Sequence, residues 1–317
     1  MTEPLDEEEY GRPRLGALGP VRVRVPSKIN LHLQVGPVRD DGYHELVTVY
    51  HAVSLYDELS ARRGDRLTLT MEGEGAGDLA LDEDNLVLRA ARELARYTQR
   101  EPLARLHLRK QIPIAAGLAG GSADAAATLV ACDVLWGSEL GRDELAKIAQ
   151  GLGSDVPFLV LGGTALGTGR GERVSPVLAS GHIWHWVIAV APTGLATPRV
   201  YRELDHMRAY GAAPAGVGSP DRLLVALRQR DPKVLAAALG NDLEPAALSL
   251  RPELRRTLDA GFDAGALAGI VSGSGPTCAF LASDVRHAET LAAGLVDSGT
   301  CRSAQPAYGP VAGARVI

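Results

Sequence analysis

The stretch IPIAAGLAGGSADAAATLV, residues 112–130, places three glycines directly before a segment that is typical of a helix. Glycine costs a helix about 1 kcal/mol relative to alanine, so Gly117, Gly120 and Gly121 need a reason. Glycines before a helix let the backbone approach a ligand, and the N–H groups of the first turn favour an anion, usually phosphate. The alternative is a helix that follows a flexible turn. The pattern predicts the helix over about Ala123 to Trp136.

Two common nucleotide motifs are absent from the sequence. No Gly-Lys-Ser/Thr occurs in the chain, so this glycine run is not a Walker A loop. GLAGGS also lacks the GxGxxG spacing of a dinucleotide fingerprint, and no clear βαβ unit follows it. A dinucleotide-dependent oxidoreductase is therefore disfavoured, and a phosphate loop of another lineage is indicated.

Length and composition predict a globular protein of one large or two smaller domains. The chain has 317 residues, of which 46% are hydrophobic and 22% charged. Its net charge of −5 provides no basic surface of the kind that nucleic-acid binders carry. Three widely spaced cysteines, Cys132, Cys278 and Cys301, predict reduced thiols and a cytoplasmic protein. We expect no nucleic-acid partner.

Residues 1–18 are acidic and interrupted by proline and glycine, so we expect a flexible tail that does not resemble a signal peptide. The longest uncharged stretch, residues 264–283, contains four glycines and a Gly-Pro step that would interrupt a membrane-spanning helix. We therefore expect no membrane partner either.

Lysine is scarce in this chain, since only four of its 33 basic residues are lysines: Lys28, Lys110, Lys147 and Lys233. A sequence that uses arginine almost everywhere can retain lysine where a compact ammonium is needed. This directs attention to those four positions.

Hydrophobic periodicity predicts an α+β fold. Strands are expected at 21–35, with a kink at Pro26 and Ser27, and at 66–72 and 103–113. Asp84 is predicted to cap a helix that begins near Leu86, and a further helix is predicted at 142–150. In the second half we expect strands at 184–191, 266–272 and 277–282, and helices at 220–230, 231–239, 251–259 and 284–297.

Polar residues on the first strand and after it are the next candidates. Lys28 and Asn30 share one face of that strand, although a solvated face would explain them equally well. Tyr43 and His44 follow the turn at Asp41-Gly42 and could stack on a base and hydrogen-bond to it, or simply pack.

Two later segments add a carboxylate and a second glycine-rich turn. Asp155 follows a helix end at Gly153 and either caps the next turn or takes a proton from a hydroxyl during phosphoryl transfer. VSGSGPTCAF, residues 271–280, is either a ligand-binding turn or a tight hairpin.

Together these motifs resemble the GHMP superfamily of small-molecule kinases, which includes galactokinase, homoserine kinase and mevalonate kinase. The resemblance rests on PSKINL (26–31), PIAAGLAGGSADAA (113–126) and VSGSGPTCAF (271–280). It implies a ribosomal protein S5 domain 2-like N-terminal domain and a ferredoxin-like C-terminal domain with the active site in the cleft between them. The implied units are an ATP-binding domain at 19–180 and a substrate-binding domain at 181–317.

Two longer segments are similar to one branch of that superfamily, the 4-diphosphocytidyl-2-C-methyl-D-erythritol kinases. They are SKINLHLQVGPVRDDGYHEL (27–46) and LGSDVPFLVLGGTALGTGRGE (152–172). The resemblance implies ATP-dependent phosphorylation of the substrate's 2-hydroxyl in the methylerythritol phosphate pathway to isoprenoid precursors. The alternatives are another kinase of the superfamily, of homoserine or mevalonate kinase type, and a non-catalytic nucleotide-binding homologue.

The resemblance also implies roles for individual residues. Asp155 would accept the hydroxyl proton while Lys28 keeps that carboxylate ionised. The substrate, cytidine diphosphate methylerythritol, would contact Asn30, Tyr43, His44, Thr197, Tyr201, Gly273, Ser274 and Gly275. ATP would contact Asn85, Lys110, Pro113, Gly117, Leu118, Ala119, Gly120, Gly121 and Ser122. Mg²⁺ would arrive with ATP and take Ser122 as its protein ligand. Ala119, where many relatives have glycine, is expected to keep a negative φ.

Overall fold

The computed structural model describes residues 19–77, 81–179 and 181–317. The predicted flexible tail at 1–18 lies outside the described residues. Within them the chain contains helices and strands in separate blocks, which confirms the α+β prediction.

The first sheet is built around a long antiparallel hairpin, β1 (Val21–Val38) and β2 (His44–Arg63). Its strand order is β12-β1-β2-β4-β3, while β5 and β6 extend from β2 and β8 pairs with β1. The other strands are β3 (Thr68–Gly73), β4 (Ala104–Lys110), β5 (Thr164–Gly169), β6 (Arg173–Pro176), β8 (Gly240–Asn241) and β12 (Arg315–Val316). The β1 strand, its kink, β3 and β4 were predicted; β2 and the short strands β5, β6, β8 and β12 were not.

The predicted kink of β1 is a register shift between Pro26 and Ser27 in its pairing with β2. Beyond it, residues 27–33 are all buried, so the strand has no solvated face here. The interpretation of Lys28 and Asn30 as solvated surface residues is therefore wrong, because other parts of the chain, including the turn that carries Gly273, pack over this face.

Four helices accompany this sheet: α1 (Leu86–Tyr97), α2 (Gly120–Trp136), α3 (Arg142–Ala149) and α4 (Val156–Leu161). The predicted cap of α1 at Asp84 is wrong, because Asn85 takes the extended conformation and its side-chain oxygen accepts a hydrogen bond from the Val87 N–H. Helix α2 begins at Gly120, three residues before the predicted start. It is buried on almost every side, consistent with its alanine-rich sequence.

The second sheet is antiparallel, in the order β11-β7-β10-β9. Its strands are β7 (Trp184–Val190), β9 (Ala268–Val271), β10 (Cys278–Ala282) and β11 (Ser303–Gly309). Around it lie α5 (Thr197–Ala209), α6 (Asp221–Gln229), α7 (Pro232–Ala236), α8 (Glu244–Leu250), α9 (Glu253–Asp263) and α10 (Val285–Asp297). Strands β7, β9 and β10 and helices α6, α7, α9 and α10 confirm predictions; α5, α8 and β11 were not predicted.

The two sheets are packed against each other rather than joined only by the chain. Trp186 of β7 lies edge-on to His51 of β2, with ring centroids 5.9 Å apart. The Tyr308 N–H of β11 donates to Ser54 Oγ at 2.9 Å. Strands β8 and β12 also return residues from the second half to β1. The boundary at 180/181 stays a prediction. Among the described residues, no helix combines the length and hydropathy needed to span a membrane.

Candidate active site

A cavity of about 820 Å³ lies where β1, β2, the glycine-rich loop, α5 and the turn after β9 meet. It brings together residues that are far apart in sequence. Of the residues predicted for ATP, it is lined by Lys110, Pro113, Gly117, Ala119, Gly120, Gly121 and Ser122. Of the catalytic and substrate residues, it is lined by Lys28, Asn30, Tyr43, His44, Asp155, Thr197, Tyr201, Gly273 and Ser274.

The glycine-rich loop ends in an unusual backbone conformation. Ala119 has φ +59 and ψ +36, so the expectation of a negative φ is wrong. The chain turns from the loop into α2 at this residue, and the left-handed conformation costs a residue with a Cβ about 1 kcal/mol or more. No side chain caps the helix. The first residues of the helix, Gly120, Gly121 and Ser122, line the cavity, and no side chain occupies the cap position in front of them.

The first glycine is required by packing. Gly117 has φ +76, and a Cβ there would collide with the carbonyl oxygen of Ser272. By contrast, a Cβ on Gly121 would have only Leu86 within 4 Å, at an ordinary 3.6 Å. Gly117 thus permits the turn after β9 to pack against the loop, and Gly121 leaves space in front of the first turn of α2.

A chain of hydrogen bonds positions Lys28. Its Nζ donates to Asn30 Oδ1 at 2.8 Å, and Asn30 Nδ2 donates to Thr48 Oγ1 at 2.8 Å. The Thr48 hydroxyl in turn donates to the His32 carbonyl at 2.8 Å. This network fixes the ammonium beside Asp155, whose Oδ2 lies 3.6 Å from Nζ.

Asp155 stands at the cap position of α4, but its side chain makes no capping hydrogen bond. The carboxylate is instead close to Lys28 and to Tyr50 of β2. Burial, followed by the negative charge of Asp155 and a hydrogen bond to it, raises the pKa of Tyr50 well above its usual value. The phenol therefore remains a donor to the carboxylate. Tyr50 was missed because β2 itself was not predicted.

Lys110 occupies a different environment from that of Lys28. Its Nζ is 2.7 Å from Asp57 Oδ2 and 2.7 Å from Asp124 Oδ2, and all three side chains are almost fully buried. Burial by itself lowers the pKa of Lys110, but the two carboxylates outweigh it and raise that pKa. The ammonium is thus occupied by protein groups, although the residue borders the cavity.

The two carboxylates around Lys110 are not equivalent. Asp57 Oδ1 accepts the backbone N–H groups of Gln111 and Ile112 at 2.6 and 2.8 Å. Asp124 Oδ1 is buried without a hydrogen-bond partner. Burial is the largest cause of the raised pKa of Asp124, and the neighbouring Asp57 adds to it. Neither aspartate was identified from the sequence.

Aromatic and charged side chains surround the opposite end of the cavity. Tyr43 is 55% exposed, and the Arg170 guanidinium lies over its ring at 4.9 Å. His44 is buried, its ring is 5.0 Å from that of Tyr201, and its Nε2 is 2.9 Å from Asp205 Oδ1. Neither Arg170 nor Asp205 was identified from the sequence: Arg170 lies in the quoted segment 152–172 but was given no role, and Asp205 lies on α5, which was not predicted.

The turn after β9 approaches the catalytic candidates closely. A Cβ on Gly273, which has φ +57, would lie 3.1 Å from Asn30 Oδ1 and 3.3 Å from Lys28 Nζ. The Asn241 side chain holds this turn by donating to the carbonyls of Val271 and Gly273 at 2.8 and 2.7 Å. Thr197 and Ser274 share a hydrogen bond of 2.8 Å at the cavity wall.

Three residues predicted to contact ligands do not line the cavity. Asn85 caps α1, and the Leu118 side chain is fully buried while its carbonyl accepts the Lys28 N–H at 3.3 Å. Gly275 is a buried residue of the turn after β9, and a Cβ there would be 2.8 Å from Val271 Cγ1. Their placement indicates that they support the site from behind.

The described residues contain no cluster of three or more His, Cys, Asp or Glu side chains that could hold a metal ion. Ser122, in the first turn of α2, is a hydroxyl on the cavity wall beside the glycine-rich loop.

Two family models match this chain. The model described as GHMP kinases N terminal domain matches residues 85–163, and that described as GHMP kinases C terminal matches residues 223–299. The first match includes the glycine-rich loop and Asp155.

Similar proteins are named 4-diphosphocytidyl-2-C-methyl-D-erythritol kinase. The relative from Salinispora tropica is 71% identical over 319 residues and covers all of both chains. That from Nocardia farcinica is 56% identical over 94% of this chain and 96% of its own.

Solved structures share the fold. A crystal structure of 4-(cytidine 5'-diphospho)-2C-methyl-D-erythritol kinase has a TM-score of 0.74 and 32% identity, covering 90% of this chain and 98% of the other. A homoserine kinase from Cytophaga hutchinsonii also has a TM-score of 0.74, at 18% identity over 98% of this chain and 100% of its own, which shows the fold alone.

Proposed function

The chain belongs to the 4-diphosphocytidyl-2-C-methyl-D-erythritol kinase family of the GHMP kinases, and on this premise we propose how its cavity carries out the reaction. It is a small-molecule kinase. The proposed reaction transfers the γ-phosphoryl group of ATP to the 2-hydroxyl of 4-diphosphocytidyl-2-C-methyl-D-erythritol, a step toward isoprenoid precursors. A cytoplasmic location fits this role and belongs to the proposal.

The observation that carries the proposal is the placement of Lys28 and Asp155. The pair lies in one cavity with the open start of α2 and with the ring-lined end around His44 and Tyr201. A volume of about 820 Å³ is within the range of small-molecule sites. Phosphoryl transfer requires this order of parts: a phosphate cradle, a proton acceptor and an acceptor-substrate site.

In the proposed chemistry, the oxygen of the substrate's 2-hydroxyl attacks the γ-phosphorus of ATP. Asp155 takes the proton from this hydroxyl, and ADP leaves. Lys28, held by Asn30, stabilises the carboxylate and the negative charge that develops on the attacking oxygen. The phenol of Tyr50 is a second neighbour of the same carboxylate and donates a hydrogen bond to it. A cation and a hydrogen-bond donor are therefore already beside the base before the substrate binds.

The loop from Gly117 to Ser122 is the proposed cradle for the ATP phosphates. The start of α2 has no side-chain cap, so its N–H groups and the positive end of the helix can be directed at an anion. Mg²⁺ bound with the nucleotide would neutralise phosphate charge, and Ser122 is the side chain that would hold it. A single hydroxyl fits an ion whose other ligands come from phosphate and water.

At the other end, we assign the cytosine to His44, Tyr43 and Tyr201. Tyr43 is exposed beside the cavity mouth and can cover a base, and Tyr201 lies against His44. Thr197 and Ser274 lie nearer to the turn that carries Gly273, which favours contacts with the methylerythritol end or the diphosphate.

The test is an ADP-release assay with Mg-ATP in which the cytidine substrate is offered beside homoserine, mevalonate and galactose. Turnover of the cytidine substrate alone is the expected result. Turnover of one of the other alcohols would retain the kinase and overturn the substrate assignment. ATP binding without turnover of any of them would contradict the roles of Lys28 and Asp155.

A further inference from the structure

The contact between His44 and Asp205 joins the start of β2 to a helix of the second half. His44 Nε2 is 2.9 Å from Asp205 Oδ1; the histidine side chain is 7% exposed and the aspartate 40%. Asp205 lies one turn after Tyr201 on α5, so the same helix face presents the ring against His44 and the carboxylate. Within the described part of the chain, Asp205 forms no other ion pair or side-chain hydrogen bond.

This contact determines where the imidazole carries its hydrogen. An ionised carboxylate only accepts hydrogen bonds, so the hydrogen lies on Nε2. In the neutral ring, Nδ1 is then an acceptor. Among residues 19–77, 81–179 and 181–317, no group bonds to Nδ1, and His44 borders the cavity. The free position of the ring is therefore an acceptor with a defined tautomer.

We propose that Asp205 is a positioning residue that sets base specificity, because it holds His44 in the Nε2–H tautomer and so makes Nδ1 an acceptor for a 4-amino group. This inference rests on the proposed function, in which His44 faces the base of the substrate. It adds a residue on α5 to the site and gives that residue a discriminating role.

The discrimination follows from the chemistry of the bases. Cytosine presents an amino group at position 4, which donates a hydrogen bond, whereas uracil presents a carbonyl oxygen, which accepts. An acceptor at Nδ1 accepts a hydrogen bond from the 4-amino group of cytosine, whereas the lone pairs of the uracil carbonyl oxygen repel it. Because a buried group left without a partner loses its hydration, such a mismatch corresponds to about ten- to a hundredfold in kcat/KM.

The decisive variant is Asp205→Asn. An amide can turn its NH₂ toward Nε2, which then accepts, and the hydrogen moves to Nδ1. Wild type, Asp205→Asn and Asp205→Ala are assayed on the cytidine substrate and on its uridine counterpart. We expect wild type to favour cytidine, and Asp205→Asn to reduce that ratio at least about tenfold through KM for the cytidine substrate. The KM for ATP should not change, and Asp205→Ala should fall between the two.

Glu203→Gln is the matched control, because Glu203 lies on the same helix and its carboxylate bonds to Ser249 Oγ at 2.6 Å, away from the cavity. It should leave the base preference unaltered. A base preference that is unaltered in both Asp205→Asn and Asp205→Ala, or equal losses on both substrates, would overturn the inference and show that Asp205 only supports the fold.

A second measurement does not depend on turnover. The ¹⁵N shifts of the His44 ring in the free protein, assigned by comparison with His44→Gln, report which nitrogen carries hydrogen. We expect Nε2–H in the wild type and a shift toward Nδ1–H in Asp205→Asn. The same tautomer in wild type, Asp205→Asn and Asp205→Ala would overturn the inference. Failure of the wild type to phosphorylate the cytidine substrate would contradict the proposed function instead.

Discussion

Lys28 and Lys110 are both buried lysines at the edge of one cavity, and they differ in what surrounds the ammonium. Lys110 Nζ is 2.7 Å from each of two buried carboxylates, Asp57 and Asp124. Lys28 Nζ bonds to an amide oxygen and is 3.6 Å from Asp155, whose side chain is 27% exposed. One cation is saturated by the protein, and the other retains capacity for a ligand.

The difference separates a structural lysine from a catalytic candidate. A saturated ammonium joins β2, β4 and α2 beneath the phosphate loop, so its loss should reduce stability. A partly satisfied ammonium beside an accessible carboxylate can respond to charge that develops on a substrate. The two lysines therefore predict opposite phenotypes: lost turnover at one site and lost stability at the other.

The largest effect is expected for Asp155→Asn. An amide cannot take the hydroxyl proton, so kcat should fall by about a thousandfold, within the range attributed to general base catalysis. ATP affinity and the unfolding midpoint should be nearly unchanged, because the side chain is not used as a helix cap. Steady-state kinetics with nucleotide titration measures both. A loss of ATP affinity as large as the loss in kcat would contradict the assignment of Asp155 as the general base.

Lys110→Met should lower the free energy of unfolding by about 3–5 kcal/mol, because it removes the cation shared by the buried carboxyl groups of Asp57 and Asp124. Urea unfolding followed by circular dichroism provides the measurement, and Lys147→Met is the control, since that lysine is exposed on α3. If the Lys110→Met variant had normal stability but bound ATP more weakly, this result would instead support the sequence-based prediction that Lys110 contacts the nucleotide.

The two aspartates around Lys110 should differ when each is replaced by asparagine. Asp57→Asn places an NH₂ against either the ammonium or two backbone N–H donors, so we expect a loss of about 2 kcal/mol. Asp124→Asn keeps an acceptor for Lys110 and replaces an oxygen that had no partner, so the loss should stay below about 1 kcal/mol. Equal losses would contradict the asymmetry.

The pH dependence of Asp124→Asn has a definite sign. Burial raises the folded-state pKa of Asp124, so the folded protein binds more protons than the unfolded chain above about pH 4. The stability that this carboxyl contributes is complete below pH 4 and is lost as the pH rises. The advantage of wild type over Asp124→Asn should therefore shrink from pH 5 to pH 8 in urea titrations. If the difference in unfolding free energy between wild type and Asp124→Asn grew with pH, Asp124 would be ionised in the folded protein.

The smallest effect is expected at the ends of α2. Ala119→Gly relieves a left-handed alanine and should stabilise the protein by about 0.5 kcal/mol, after the greater flexibility of glycine in the unfolded chain is subtracted. Gly137→Ala, at φ +63 in open space, should act in the opposite direction by about 1 kcal/mol. Thermal unfolding of both variants decides, and two changes of the same sign would contradict the assigned conformations.

Short-range patterns found much of the fold. The kink at Pro26, α2, and strands β7, β9 and β10 follow from periodicity, proline and alanine content. By contrast, β2 was missed although it has 20 residues, because residues 48–53 are buried on both faces and polar residues such as His51 and Asp57 are buried as well, so its apolar pattern does not alternate cleanly. The helix α5 was missed too, and with it went Asp205.

The sequence by itself determined the family, the α+β class, and the identity of the phosphate loop, Lys28 and Asp155 as candidates, because each rests on residues close together in the chain. Only the tertiary structure decided which buried lysine is saturated and where the tautomer of His44 is fixed. Those properties depend on Asp57, Asp124 and Asp205, which reach their partners across 53, 14 and 161 residues. Side-chain contacts at such separations follow from packing, which no local pattern encodes.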